Sequence, residues 1–170
     1  GRDRRHPQAQ ALQRALLDHL ERIWSDPDEG IWEIRGERRH FVHSKVMAWV
    51  AFDRAVRTVE EQGFDGPVDR WRKLREQIHA EVCERGYDEA LGSFVQSYGS
   101  KELDASLLNI PLVGFLPADD ARVQGTVEAI ERELLRDGLV LRYRTHAAGV
   151  DGLPSGEGGV LPSPLWRGAG

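Results

Sequence analysis

From Pro7 to Gly138 the apolar positions fall mostly three and four residues apart, the period of a helix with one buried face. Leu12, Leu16, Leu20 and Ile23 place a first helix at about Pro7 to Trp24. Its proline suits an opening turn, and Asp26-Pro27-Asp28 breaks it, because proline restricts its predecessor and Asp favours turns. Ser44 can cap a second helix, in which Val46, Trp49, Val50, Val56 and Val59 share one broad face up to about Gln62, with Gly63 as the stop. Pro67 opens a third, where Trp71, Leu74, Ile78 and Val82 repeat the pattern until Gly86. The short connector between the second and third makes an antiparallel helical hairpin.

Tyr87 to Gly99 changes character and reads as a turn with a short extended segment. A fourth helix, Leu103 to about Phe115, is apolar nearly all round and therefore expected to be deeply buried, with a kink or early end at Pro111. Asp119 or Asp120 introduces a fifth, carrying Val123, Val127, Ile130 and Leu134 and closed by Gly138. Leu139 to Tyr143 suits a short strand, and Gly149 to Gly170, rich in Gly, Pro and Ser, predicts no packed element. The pattern defines an all-α fold of sequential antiparallel helix pairs with loops displayed at one end. A bundle, a solenoid or an arc of an (α/α) toroid all satisfy it, and no fixed-period repeat favours the solenoid.

Composition narrows the function classes. The chain has 170 residues, 40% of them hydrophobic and 30% charged, enough for one domain with a real core. A net charge of −5 argues against a nucleic-acid partner, which demands a basic face, and Arg2, Arg4 and Arg5 read as a solvated terminus. The single cysteine, Cys83, reads as core filler and excludes an internal disulfide or a cysteine-rich metal site, so a cytoplasmic, reducing compartment is the simpler expectation. No run of 18 apolar residues and no signal peptide is present, which gives no reason to invoke a membrane. His40 and His43 lack a third ligand in register, so neither a metal nor another cofactor is expected.

The candidate chemistry lies in Asp28-Glu29-Gly30-Ile31-Trp32-Glu33-Ile34-Arg35-Gly36, a glycine-bracketed loop with an aromatic beside a carboxylate, and in Gly156-Glu157-Gly158 far downstream. Taken alone, Glu33 reads as a solvated loop residue and Trp32 as core packing. The context favours a site, because His40-Phe41, Ser44-Lys45-Val46-Met47-Ala48-Trp49-Val50-Ala51, Phe94-Val95-Gln96-Ser97-Tyr98, Leu103-Asp104-Ala105-Ser106-Leu107-Leu108 and Leu112-Val113-Gly114-Phe115-Leu116-Pro117 follow in order. Together these segments resemble the later part of the catalytic domain in the glucoamylase-like glycoside hydrolase family 15, which includes bacterial glucoamylases, glucodextranases and trehalases.

The resemblance implies an (α/α)6 barrel, of which residues 1–157 are a C-terminal portion, and hydrolysis of an α-glucosidic bond with inversion. That chemistry needs a protonated acid at the leaving oxygen and a second carboxylate that activates water on the opposite face. Glu33 matches the general acid and Glu157 the general base, with the carboxyls expected roughly 6.5–9.5 Å apart. Trp32 would exclude water and keep the acid protonated. Arg142-Tyr143 matches the segment whose arginine holds sugar hydroxyls; a surface arginine on an edge strand is the equal alternative. Asp104 begins an inner helix, where capping is favoured over reaching the pocket. The implied partner is an α-glucoside, an oligosaccharide or trehalose, and no cofactor is required.

Departures from the family pattern bound the reading. Ile34 stands where fungal members carry a second glutamate, the upstream Trp-x-Arg-Asp segment is missing, and residues 158–170 abandon the aromatic, apolar run expected after the base, as a shifted reading frame or premature stop would produce. Twelve helices of about 11–12 residues with connections of about 4–6 need on the order of 200 residues, so the chain is expected to be part of a longer enzyme that leaves apolar helix faces open to self-association. The alternative class is a catalytically inactive helical fragment or binding module. A lyase or phosphorylase on the same toroid is weaker, because those chemistries need other groups in place of the second carboxylate.

Overall fold

A computed structural model of the chain describes residues 7–32, 37–144 and 159–162. The elements are α1 (Pro7–Ile23), α2 (Val42–Gln62), α3 (Val68–Arg85), β1 (Tyr87–Asp88), β2 (Ser93–Phe94), a 3-10 turn (Ala105–Leu108), α4 (Asn109–Leu112), α5 (Ala121–Leu134), β3 (Leu135–Arg136), β4 (Leu139–Leu141) and β5 (Gly159–Pro162). The architecture is all-α, an arc of a helical toroid. Its strands form two small antiparallel sheets, β1-β2 between α3 and the 3-10 turn and β3-β4-β5 after α5.

The core lies between α2 and α3 and is roofed by α5. Val46, Phe52 and Val56 of α2 are enclosed with Trp71, Ile78 and Val82 of α3, as the shared apolar stripe of each requires. Gly63 stops α2 in the left-handed conformation (φ 68°), its N–H returning to the Val59 carbonyl at 3.0 Å. Phe115 closes one side by meeting Trp49 edge-on at 5.1 Å and the His79 ring at 4.6 Å. Phe52, Ile78, Phe94, Leu107, Ile130 and Leu134 are fully enclosed, and each such burial is worth about 1.5–3 kcal/mol.

Local chemistry explains where elements begin and end. Asp120 caps α5 by accepting the Arg122 N–H at 2.9 Å, and it also holds the Arg122 guanidinium at 2.7 Å. The second helix starts at Val42 rather than being capped by Ser44, whose hydroxyl is drawn off to donate to Asp28 Oδ1 at 2.8 Å. The expected fourth helix is a 3-10 turn followed by the single turn α4, because Pro111 lacks the N–H that would continue the ladder to the Leu107 carbonyl. Leu107 and Ile110 are buried there, but Leu112 is 70% exposed, contrary to burial all round. Past residue 149, where no regular element is expected, β5 pairs with the edge of β4 that β3 leaves free.

Candidate active site

The loop after α1 is pinned at its base by the backbone pair of Asp28 and Arg39, each N–H donating to the other's carbonyl at 2.9 Å. Asp28 turns the chain by accepting the Gly30 N–H at 2.6 Å. Gly30 has φ 70°, and a side chain there would meet the Phe41 ring at 3.0 Å, so the turn requires glycine on both counts. A short extended stretch continues the scaffold: Val42 N–H donates to the Gln96 carbonyl at 3.0 Å, and Tyr98 N–H to the His40 carbonyl at 3.0 Å.

This scaffold delivers Trp32 to Asp104. The indole N–H donates to both carboxylate oxygens, at 2.9 Å to Oδ1 and 3.0 Å to Oδ2. The Gln96 amide donates to Oδ2 at 2.9 Å, and the Ser106 backbone N–H to Oδ1 at 2.7 Å. Asp104 is only 2% exposed, and a carboxylate this deep requires such a ring of donors. Sequence favours a helix cap for Asp104, and the Ser106 contact is that cap; the grip on Trp32 is an addition.

Arg142 is brought to the same place through its backbone. Its carbonyl accepts the Ala105 N–H at 2.8 Å, and Tyr143 bridges Asp104 as an isolated antiparallel pair. The guanidinium carbon lies 5.2 Å from the centre of the Trp32 ring, within cation–π range. Arg142 Nε is buried and makes no hydrogen bond among the described residues. Of the residues expected to form the site, Trp32, Arg142 and Tyr143 thus converge on Asp104, and Glu33 and Glu157 lie outside the described residues.

Two further groups border this cluster. His43 sits in the first turn of α2, where burial lowers its pKa below the usual 6.5 against the opposing charges of Asp104 and Asp28. Lys45, also buried, donates from Nζ to the Trp24 carbonyl at 2.5 Å and the Asp26 carbonyl at 2.6 Å, tying the end of α1 to α2. His40 stacks on Tyr98 with ring centres 5.7 Å apart, and among the described residues no trio of His, Cys, Asp or Glu is placed to hold a metal ion. Gln96 was missed as a site residue, although it lies within the Phe94 to Tyr98 segment that carries the family resemblance.

An all-α arc of paired helices that gathers an aromatic, an arginine and a buried carboxylate on its loops defines a segment of an (α/α)6 toroid. The glycosyl hydrolases family 15 matches residues 2–161, and the chain belongs to that family. It is 44% identical over 152 residues to a trehalase of Thermoplasma volcanium, spanning 89% of this chain and 24% of that protein. To a trehalase of Mycobacterium tuberculosis it is 50% identical over 143 residues, 84% of this chain and 21% of that one. A solved wild-type glycosidase superposes with a TM-score of 0.66 at 25% identity over 75% of this chain and 33% of its own, as does a glycosidase variant in complex with glucose. The chain therefore spans about a quarter of the length of these curated relatives.

Proposed function

We propose that the chain carries part of the catalytic centre of an inverting α-glucosidase, with trehalose as the substrate that the trehalase relatives favour. The carrying observation is the seating of Trp32, the neighbour of Glu33, on a buried carboxylate beside an arginine with an unused buried donor. Glu33 protonates the glycosidic oxygen as the bond from the anomeric carbon breaks, and Glu157 takes a proton from the water that attacks the opposite face. The anomeric carbon gains the hydroxyl and the leaving sugar gains the proton, so α,α-trehalose yields one β-glucose and one α-glucose. Arg142 offers its free N–H to a sugar hydroxyl, where a charged donor in a dry site binds more strongly than a neutral one.

The test uses the natural full-length protein. Proton NMR of the first turnovers with trehalose is expected to show β- and α-glucose in equal amounts before mutarotation. Glu33→Gln and Glu157→Gln are each expected to lower kcat by about 10²–10⁴-fold, the usual worth of a positioned acid or base. Undiminished hydrolysis in either variant sinks the assignment of that residue, and α-glucose alone as the first product sinks inversion.

A further inference from the structure

We propose that Asp104 is a positioning residue of this site, which fixes the orientation of the Trp32 ring beneath the Arg142 guanidinium. The inference rests on the glycosidase reading, with Glu33 as the acid. Capping the 3-10 turn needs one acceptor, the Oδ1 that takes the Ser106 N–H. The structure shows much more: a carboxylate at 2% exposure whose two oxygens both face the Trp32 indole N–H, with Gln96 locking the second oxygen from the far side.

The backbone of Gln96 is itself held by bonds to Val42 and Glu102, so the amide that grips the carboxylate is carried on a segment tied to the start of α2. The next peptide N–H, that of Ala105, fixes the carbonyl of Arg142, whose guanidinium lies over the Trp32 ring. The Asp104 side chain thus sets the aromatic wall, while the N–H of the next residue, Ala105, holds the backbone of the arginine. Trp32 and Arg142 are the site residues so held, and a misplacement of about 1 Å far from the reacting atoms can cost about 100-fold in rate.

The experiment is a double-mutant cycle in the natural full-length protein, with kcat and KM for trehalose and the indole proton of Trp32 as readouts. Asp104→Ala is expected to lower kcat on the order of 100-fold with KM nearly unchanged. Trp32→Phe, which lacks the indole N–H, should lower kcat as well, and the double variant should lose little more than the worse single one. Asp104→Asn keeps one acceptor for the indole and for Ser106 but turns an NH2 toward the Gln96 amide, so it should recover only part of the rate. Losses that multiply in the double variant, or a change confined to KM, overturn the proposal.

Asp104→Ala also removes a cap and can fail to fold, so the wild-type protein supplies an independent decision. With ¹⁵N-labelled tryptophan, the Trp32 indole proton is expected to lie downfield, to exchange slowly with water and to move in Asp104→Asn. An indole that exchanges as fast as an exposed tryptophan overturns the positioning contact without any activity assay. A slow indole in an enzyme that Glu33→Gln leaves fully active instead overturns the glycosidase reading, and with it the catalytic consequence drawn for Asp104.

Discussion

The fold holds the imidazoles of His43 and His79 toward neutrality. Burial is the largest influence on each, outweighing Asp104 and Asp28 around His43, and the Phe115 backbone and Asp120 around His79. Both titrate below 6.5 when folded, so between that lowered value and 6.5 the unfolded chain binds more protons than the native one. Stability from this source is complete above 6.5 and declines as pH falls through the folded values. Urea midpoints at about pH 7.5 and about pH 5 are expected to differ less in a His43→Gln, His79→Gln double variant than in the wild type. An unchanged difference rejects this account. The tilted ring contact of His79 with Phe115 at 4.6 Å is lost at every pH, so the slope, and not the midpoint itself, is the measure. At this scale the sequence makes Trp32 and Arg142 legible as family positions. The bond between Trp32 and Asp104 spans 72 residues, and no local spacing announces it.

At the scale of elements, α5 and the β1-β2 turn are fitted to each other by two adjacent residues. Thr126 Oγ1 accepts the Phe94 N–H at 2.9 Å and donates to the Arg122 carbonyl at 2.7 Å. A side chain at Gly125 would stand 2.2 Å from the Gly92 carbonyl oxygen, which is backbone and cannot step aside. Helix propensity alone credits Gly125→Ala with about 1 kcal/mol, whereas forcing an atom into a packed contact costs typically about 1–3 kcal/mol. The clash should win, giving a net loss of up to about 2 kcal/mol in chemical denaturation, and a stabilised Ala variant shows that the turn can retreat. The long helices are legible from their apolar period, with Gly63 and Gly86 as stops and Asp120 as a cap; α5 ends at Leu134, short of the expected stop at Gly138, which instead lies in the turn from β3 to β4. Leu103 to Phe115 was read as one helix because an apolar run carries no period of its own. The start of α2 was misplaced because Ser44 bonds to Asp28, a tertiary partner that competes with capping.

For the whole molecule the decisive surface is α1. Leu17 is buried and Leu20 packs against the core, but Leu12, Leu16 and Ile23 remain 62%, 60% and 43% exposed. All four positions of the predicted stripe are therefore helical, while most of the stripe faces away from the core formed by this chain. A toroid arranges its helices in a closed ring, and an arc spanning about a quarter of its relatives presents faces that neighbouring helices would cover. Produced by itself, the 170-residue chain is expected to self-associate with increasing concentration in sedimentation velocity. Leu12→Gln with Leu16→Gln should shift it toward monomer without lowering its melting temperature, because neither side chain contributes to the enclosed core. A longer protein that supplies the neighbouring helices of the ring should be indifferent to concentration through this face and should instead be destabilised by the same pair, because the leucines would pack against those helices there. A chain that remains monomeric over a wide concentration range, or a full-length protein untouched by the pair, shows that α1 faces solvent in the complete fold as it does here.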